Sequence, residues 1–422
     1  MDEKIFFERT ASGIPVIVDV IPDSENAVFA VGVGTGSRDE DSRICGISHL
    51  LEHVVFRGTT TRSSFQISKE IEGAGGEMNA FTGKEMTAFY GATIKSTAGV
   101  AKDLVADIIM NPLIKEDDVS LEKEIVLQEI SMWENDPESY IHKIFAETLW
   151  HGHELSKNEA GESKVVESMK AKDLREYFTE RYRRPNMAVF AAGATDPSDV
   201  MNWAETKFDG IKEGKKILRT APGKTSRDYR FVERKGDHSY IGMGFSAYPA
   251  DHKDASALSI LTAILGAGMS SRLFQKVREE KALAYSVYCM VDQNSDAGSM
   301  ASYMSSTEKN VMDCITTTAK VCRELKDEGL VKGELERARN LIKGATARQS
   351  ESTTNRLYRL IKRYMLTGST ETIGERMRKL DAVTEEDVMR VATDVITKEL
   401  VVSVYGTKTS KMKTFDIGSI EI

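Results

Sequence analysis

Apolar residues alternate with polar or small ones over residues 14–20, 27–34, 88–94 and 187–193, and again over 239–246, 284–292 and 400–405. That period of two marks strands with one buried face. Elsewhere apolar positions recur every three to four residues: over 44–56, 65–73, 96–109, 117–134 and 172–182, then over 254–265, 271–280, 308–328 and 333–365. That is the period of amphipathic helices. Neighbouring strands with several helices between them predict an α+β class with helices packed on one sheet face.

The two series resemble each other. AVFAVGVGTG (27–36) and SYIGMGFSAY (239–248) are both strands with paired glycines, and Gly32 and Gly34 fall on Gly242 and Gly244 at an offset of 210. Each is followed by a polar turn and a helix. Near the end of each series an apolar strand closes on Gly-x-Thr, Ala188–Thr195 and Val401–Thr407, where Gly193 falls on Gly406. A repeat in register at both ends predicts two domains of one fold: 1–210 and 229–422, joined by a polar, basic, solvated linker at 211–228.

One helix of the first repeat carries chemistry. Residues 49–53 read His-Leu-Leu-Glu-His within ISHLLEHVVF. On a helix His49 and His53 are about 40° apart, so both imidazoles point the same way and can grip one ion. Glu52 lies about 60° behind His49, within reach of a water on that ion. A catalytic zinc takes three protein ligands and leaves a fourth position open. The His-x-x-Glu-His order is the inverse of the common metalloprotease order.

A third ligand must come from elsewhere. EDDVSLEKEIVLQEISMWEN (116–135) carries Glu122 and Glu129, seven residues or nearly two turns apart, on one helix face. Val119, Ile125, Val126 and Ile130 would pack that helix against the domain, and Glu124 should face away. Carboxylates on a core-seeking helix need a partner, which a cation supplies; the alternative is a solvated acidic stripe.

His49-Leu-Leu-Glu52-His53, with Glu129 76 positions beyond His53 and Glu122 seven before that, resembles the inverzincin peptidases of the pitrilysin and insulinase family, M16, which includes the mitochondrial processing peptidases. The segments GAGGEMNAFTGKEMTAFY (73–90), YRRPNMAVFAAG (182–193) and LGAGMSSRLFQKVREEKALAYSV (265–287) are also similar to family segments. The resemblance implies two homologous domains, each an antiparallel-rich mixed β-sheet with helices on one face. It implies one Zn²⁺ per chain, held by His49, His53 and Glu129, with Glu52 as base and Glu122 orienting a ligand. It implies an exposed edge strand around Asn79, Ala80 and Phe81 to which a substrate adds as a further strand, and an Arg278/Tyr285 pair that binds substrate. At the repeat offset, His49, Glu52 and His53 fall on Ser259, Thr262 and Ala263, so the second domain should lack a metal site. Two departures occur: Lys281-Ala282 replaces the usual Arg-Gly before Leu-Ala-Tyr, and the glycine-rich loop is Leu265-Gly266-Ala267-Gly268.

Composition narrows the remaining choices. With 57 basic and 65 acidic residues the formal charge is −8, which disfavours a nucleic-acid partner. The longest apolar runs fall far below the roughly 18 residues that cross a bilayer, which disfavours a membrane partner. The start, MDEKIFF, lacks the pattern of a signal peptide. Cys45, Cys289, Cys314 and Cys322 are widely spaced and read as reduced core residues of a cytoplasmic protein. His151-Gly-His153 sits in a polar turn and reads as structural, and Pro222-Gly223-Lys224-Thr225 lacks the first glycine of a phosphate-binding loop.

The expectation is a zinc metalloendopeptidase cutting peptides or unfolded segments inside a closed chamber. Alternatives are a specific processing peptidase for leader or pro-segments and a non-catalytic assembly subunit. Family members enclose the chamber with four such domains, so two chains should assemble, as a homodimer or as unlike subunits. Retention of both motif sets in one chain favours the homodimer.

Overall fold

The computed structural model describes residues 3–397, 399–407, 412 and 415–422. Eleven strands occur among them: β1 (Lys4–Arg9), β2 (Pro15–Val20), β3 (Asn26–Val33), β4 (Glu77–Thr82), β5 (Thr87–Ile94), β6 (Met187–Gly193), β7 (Asp228–Glu233), β8 (His238–Ala247), β9 (Ala284–Gln293), β10 (Gly298–Thr307) and β11 (Val401–Gly406). They form two sheets, ordered β1-β2-β6-β3-β5-β4 and β7-β11-β8-β10-β9. With β1 set aside, replacing β2, β3, β4, β5 and β6 by β7, β8, β9, β10 and β11 turns the order of the first sheet into that of the second. β2 runs parallel to β6 as β7 does to β11, while the other pairings are antiparallel. The repeat is therefore a repeat of topology, in α+β domains with antiparallel-rich mixed sheets.

The chain divides into two compact units. One contains the residues up to Ser131, Lys157–Arg219 and Ala347–Glu375; the other contains Met132–Ser156, Thr220–Thr346 and the residues from Arg376. Most of each unit comes from one repeat, and one helix comes from the other. In the first unit most helices cover one sheet face, where Leu50, Leu51, Leu104, Ile108, Val126 and Phe208 are buried together. The opposite face carries Ile17, Val28, Ala88 and Phe190 and is closed by Leu357, Leu360 and Ile361 of the helix Thr353–Thr367. In the second unit the matching face is closed by Ile141, Ile144 and Phe145 of the helix Pro137–Leu149.

Gly32 and Gly242 face these added helices. A side chain on Gly32 would stand 2.9 Å from Phe190 and 3.4 Å from the Met365 sulfur, and one on Gly242 would stand 3.2 Å from Phe145. Cβ-free positions let the helix approach the sheet.

Three local departures from the sequence reading have physical causes. The span 333–365 is not one helix. It breaks at 350–352 into Glu334–Gln349 and Thr353–Thr367, because the Ser352 hydroxyl accepts the Asn355 N–H and caps the second helix. The segment 271–280 winds as a π-helix over Phe274–Glu280. The linker's Arg219 is not solvated: its guanidinium donates to Asp39 and to the Gly34 and Glu85 carbonyls within the first unit. All four cysteines are buried thiols, and no described helix is long and apolar enough to cross a membrane.

The added helix of the first unit is also held by charge. Arg356 makes a two-pronged pair with Asp19 of β2, at 2.8 and 2.6 Å, and Asp19 is fully buried. Removing one partner of such a pair strands the other charge. Asp19→Ala should therefore cost about 3 kcal/mol in a urea unfolding curve, and the double change Asp19→Leu/Arg356→Met should recover much of it.

Candidate metal centre

The motif helix spans Ile47–Val54. It starts where it does because the buried carboxylate of Glu40 accepts the Gly46 and Ser48 N–H groups, at 2.7 and 2.8 Å, satisfying donors that a helix N-terminus leaves free. The Ser48 hydroxyl is further tied to Tyr177, and Tyr177 to Thr35, each at 2.8 Å. Ile47, Leu50, Leu51 and Val54 enter the core, which turns His49, Glu52 and His53 to the half-buried side.

The second helix, Glu116–Asn135, buries Val119, Glu122, Val126 and Ile130. Glu122 thus sits on the core face, Glu124 is exposed and Glu129 is half-buried. The Nε2 atoms of His49 and His53 lie 3.7 and 3.5 Å from the same Glu129 oxygen. One ligand atom from each residue falls within 4.8 Å of the others. Zinc with bonds of about 2.0–2.2 Å in tetrahedral geometry holds its donors roughly 3.4 Å apart. Two imidazoles and one carboxylate are also a donor set of catalytic zinc sites with an open fourth position, so these residues fit the ion.

The surroundings prepare each donor differently. Burial and the neighbouring His53 push the His49 imidazole down to about 4, so it stays neutral as a ligand must. Burial also pulls His53 down, but the hydrogen bond to Glu122 and the charges of Glu129, Glu122 and Glu52 outweigh it and raise it. His53 Nδ1 lies 3.0 Å from Glu122 Oε2, and Arg57 donates its Nε to the other Glu122 oxygen. Burial would raise the Glu122 carboxyl, yet hydrogen bonds from His53 and Arg57 hold it below the usual range. Burial is the largest influence on Glu52 and raises it, against the opposing hydrogen bond from Thr82.

Asn79, Ala80 and Phe81 lie on β4, the edge of the first sheet. The Ala80 N–H is turned away from β5 and reaches only the Asn79 side-chain oxygen, 2.8 Å away. Phe81 packs edge-on against Tyr358, on the sheet face opposite the motif helix. Arg278 and Tyr285 come together in the second unit. The guanidinium lies over the rings of Phe274 and Tyr285, 4.7 and 5.7 Å from their centroids, and Tyr285 is 77% exposed. On the repeated helix Ala255–Gly266, the Ser259 and Thr262 hydroxyls bond back to their own helix carbonyls, so that turn offers no comparable ligands. His153 spends both ring nitrogens, on the Thr220 carbonyl and the Leu155 N–H.

Sequence reasoning missed Glu40, Arg57 and Thr82. Arg57 carried a usable signal, since it stands one turn after His53 on the same helical face. Thr82 carried one as well, since it falls on the same side of β4 as Ala80. Glu40 lies in a turn and carried none.

The chain is similar to known proteins over most of its length. A model described as insulinase (peptidase family M16) matches residues 16–162, and one described as peptidase M16 inactive domain matches 168–342. A Mycobacterium bovis protein named an uncharacterized zinc protease is 32% identical over 404 residues, covering 94% of this chain and 92% of its own length. A Bacillus subtilis protein of the same description is 30% identical, covering 92% and 95%. A Pseudomonas fluorescens crystal structure titled as a peptidase M16 inactive domain shares the fold, with a TM-score of 0.89 at 17% identity, covering 96% and 98% of the two chains. This chain belongs to the insulinase family, peptidase family M16.

The Arg57–Glu122–His53 series predicts how the cluster responds to loss of support. Groups that orient a ligand typically contribute 10- to 100-fold to metal affinity. Glu122→Gln should weaken zinc binding by about that factor in a competition titration against a chelator, and Arg57→Met by a smaller one.

Proposed function

We propose that this protein is a zinc-dependent endopeptidase that hydrolyses extended peptide or unfolded segments. The observation that carries the reading is the meeting of His49, His53 and Glu129 beside Glu52. The relatives' description as zinc proteases supports it. Zinc held by the three residues would lower the pKa of a water toward 7 and polarise a peptide carbonyl. Glu52 takes the water's proton as it attacks and passes it to the leaving amine. Glu122 accepts from His53 Nδ1–H, which leaves Nε2 free as the ligand atom. The β4 edge takes the peptide backbone as a further strand, a mode largely blind to side chains. Tyr285 donates to a substrate carbonyl, and Arg278 holds substrate backbone.

Two chains form the working unit, a homodimer with one zinc per chain in which Arg278 and Tyr285 of each serve the partner's zinc. They enclose a chamber that admits threaded chains and excludes compact proteins. A purely structural assembly role is disfavoured, because a scaffold has no need of an open ligand position beside a carboxylate base.

Glu52→Gln should retain stoichiometric zinc yet lose roughly 10² to 10⁴ in turnover of a quenched, unstructured peptide. Near-full turnover would refute the base assignment, and parent protein that binds zinc but cuts no peptide would refute the peptidase. Mixing Glu52→Gln chains with Tyr285→Phe chains should restore part of the activity. A mixture that stays inactive while subunits exchange would rule out the trans arrangement.

A further inference from the structure

The Glu52 carboxylate has one hydrogen-bond partner among the described residues, the hydroxyl of Thr82, which donates to Oε2. Thr82 is the last residue of β4, paired with Thr87 of β5. Thr87 is itself anchored through its hydroxyl to the Thr35 carbonyl, at 3.0 Å. Because strand residues alternate, the backbone of Thr82 faces the same way as that of Ala80, off the sheet's open edge. One residue therefore holds one oxygen of the carboxylate while its backbone ends the row of groups to which an added strand would pair. Oε1 is left without a protein hydrogen bond, open to water.

We infer that Thr82 is a positioning residue: its hydroxyl fixes the Glu52 carboxylate relative to the edge strand, so that a peptide registered on β4 meets the base in a set geometry. The inference rests on the proposed peptidase reading. A glutamate on a helix has three rotatable side-chain bonds, and a carboxylate free to turn would spend part of its time off the water. Misplacement by about 1 Å can cost on the order of 10²-fold in rate. The hydroxyl's hydrogen is spent on Glu52, so its loss should appear in kcat and not in peptide affinity.

Thr82→Val keeps the shape and strand preference but removes the donor, Thr82→Ser keeps the donor, and Thr82→Ala serves as a second donor-free variant. All three are compared with the parent in zinc content, in kcat and KM on a quenched peptide, and in binding of an uncleaved fluorescent peptide by anisotropy in the Glu52→Gln background. The inference expects unchanged zinc content and peptide affinity, kcat lowered about 10- to 100-fold in Thr82→Val and Thr82→Ala, KM within about twofold, and most of the rate restored in Thr82→Ser. It is overturned if the donor-free variants keep kcat within about twofold of the parent, if the loss falls on KM or peptide affinity, or if Thr82→Ser is as impaired as Thr82→Val. Those outcomes leave the peptidase reading standing. A parent without turnover, or an active Glu52→Gln, refutes that reading instead.

Discussion

Two imidazoles and a carboxylate packed within a few ångströms of one another turn one donor atom each toward a common point, a set that a single cation can answer at once. The first unit is organised around enforcing that meeting. The two histidines come from a single turn, but Glu122 and Glu129 arrive from a helix some 70 positions later. The second helix is placed by Val119, Val126 and Ile130, which enter the same core as Leu50, Leu51 and Val54 of the motif helix. Apolar packing therefore sets the distance between donors, and the polar groups inherit it. Arg57 and Glu122 then settle which histidine nitrogen faces the cluster.

The histidine pair and the carboxylate pair were each readable along the chain because their logic is local, whereas the joining of Glu129 to the two histidines was implied by the family resemblance. Four-residue spacing aligns two imidazoles, and seven-residue spacing aligns two carboxylates. The strands of the core were readable for the same reason. Some of what escaped notice lacked a period, although the missed helices Pro137–Leu149 and Glu385–Val395 did carry one. β10, GSMASYMSST, is buried on both faces, mixes two methionines with small and hydroxyl side chains, and shows no alternation. β1 and β7 lie at sheet edges, where KIFFER and DYRFVE mix charge with apolar residues. The helix Pro137–Leu149 was absent from the sequence reading, although Asp136 caps it and Pro137 opens it. Which sheet such a helix covers depends on contacts across long separations, and no spacing along the chain encodes them.

One glycine of each pair that marked the repeat has a helix-packing cause. Gly32 and Gly242 occupy equivalent strands, β3 and β8, and each lies under a helix supplied by the other repeat. The second repeat keeps this architecture while its motif helix holds only hydroxyls and alanine at the matching positions. The scaffold and the chemistry are thus separable, and among the described residues only one copy of the scaffold carries a cluster of the His49, His53 and Glu129 kind.

The traded helices bear on how such a chain arose. A single-repeat polypeptide on its own would leave one apolar sheet face bare, and a second copy of itself would hold the cover. Such a pair lends and borrows the same element, as domain-swapped dimers do. A tandem fusion keeps that exchange inside one polypeptide, where each half can drift because the other is permanently at hand.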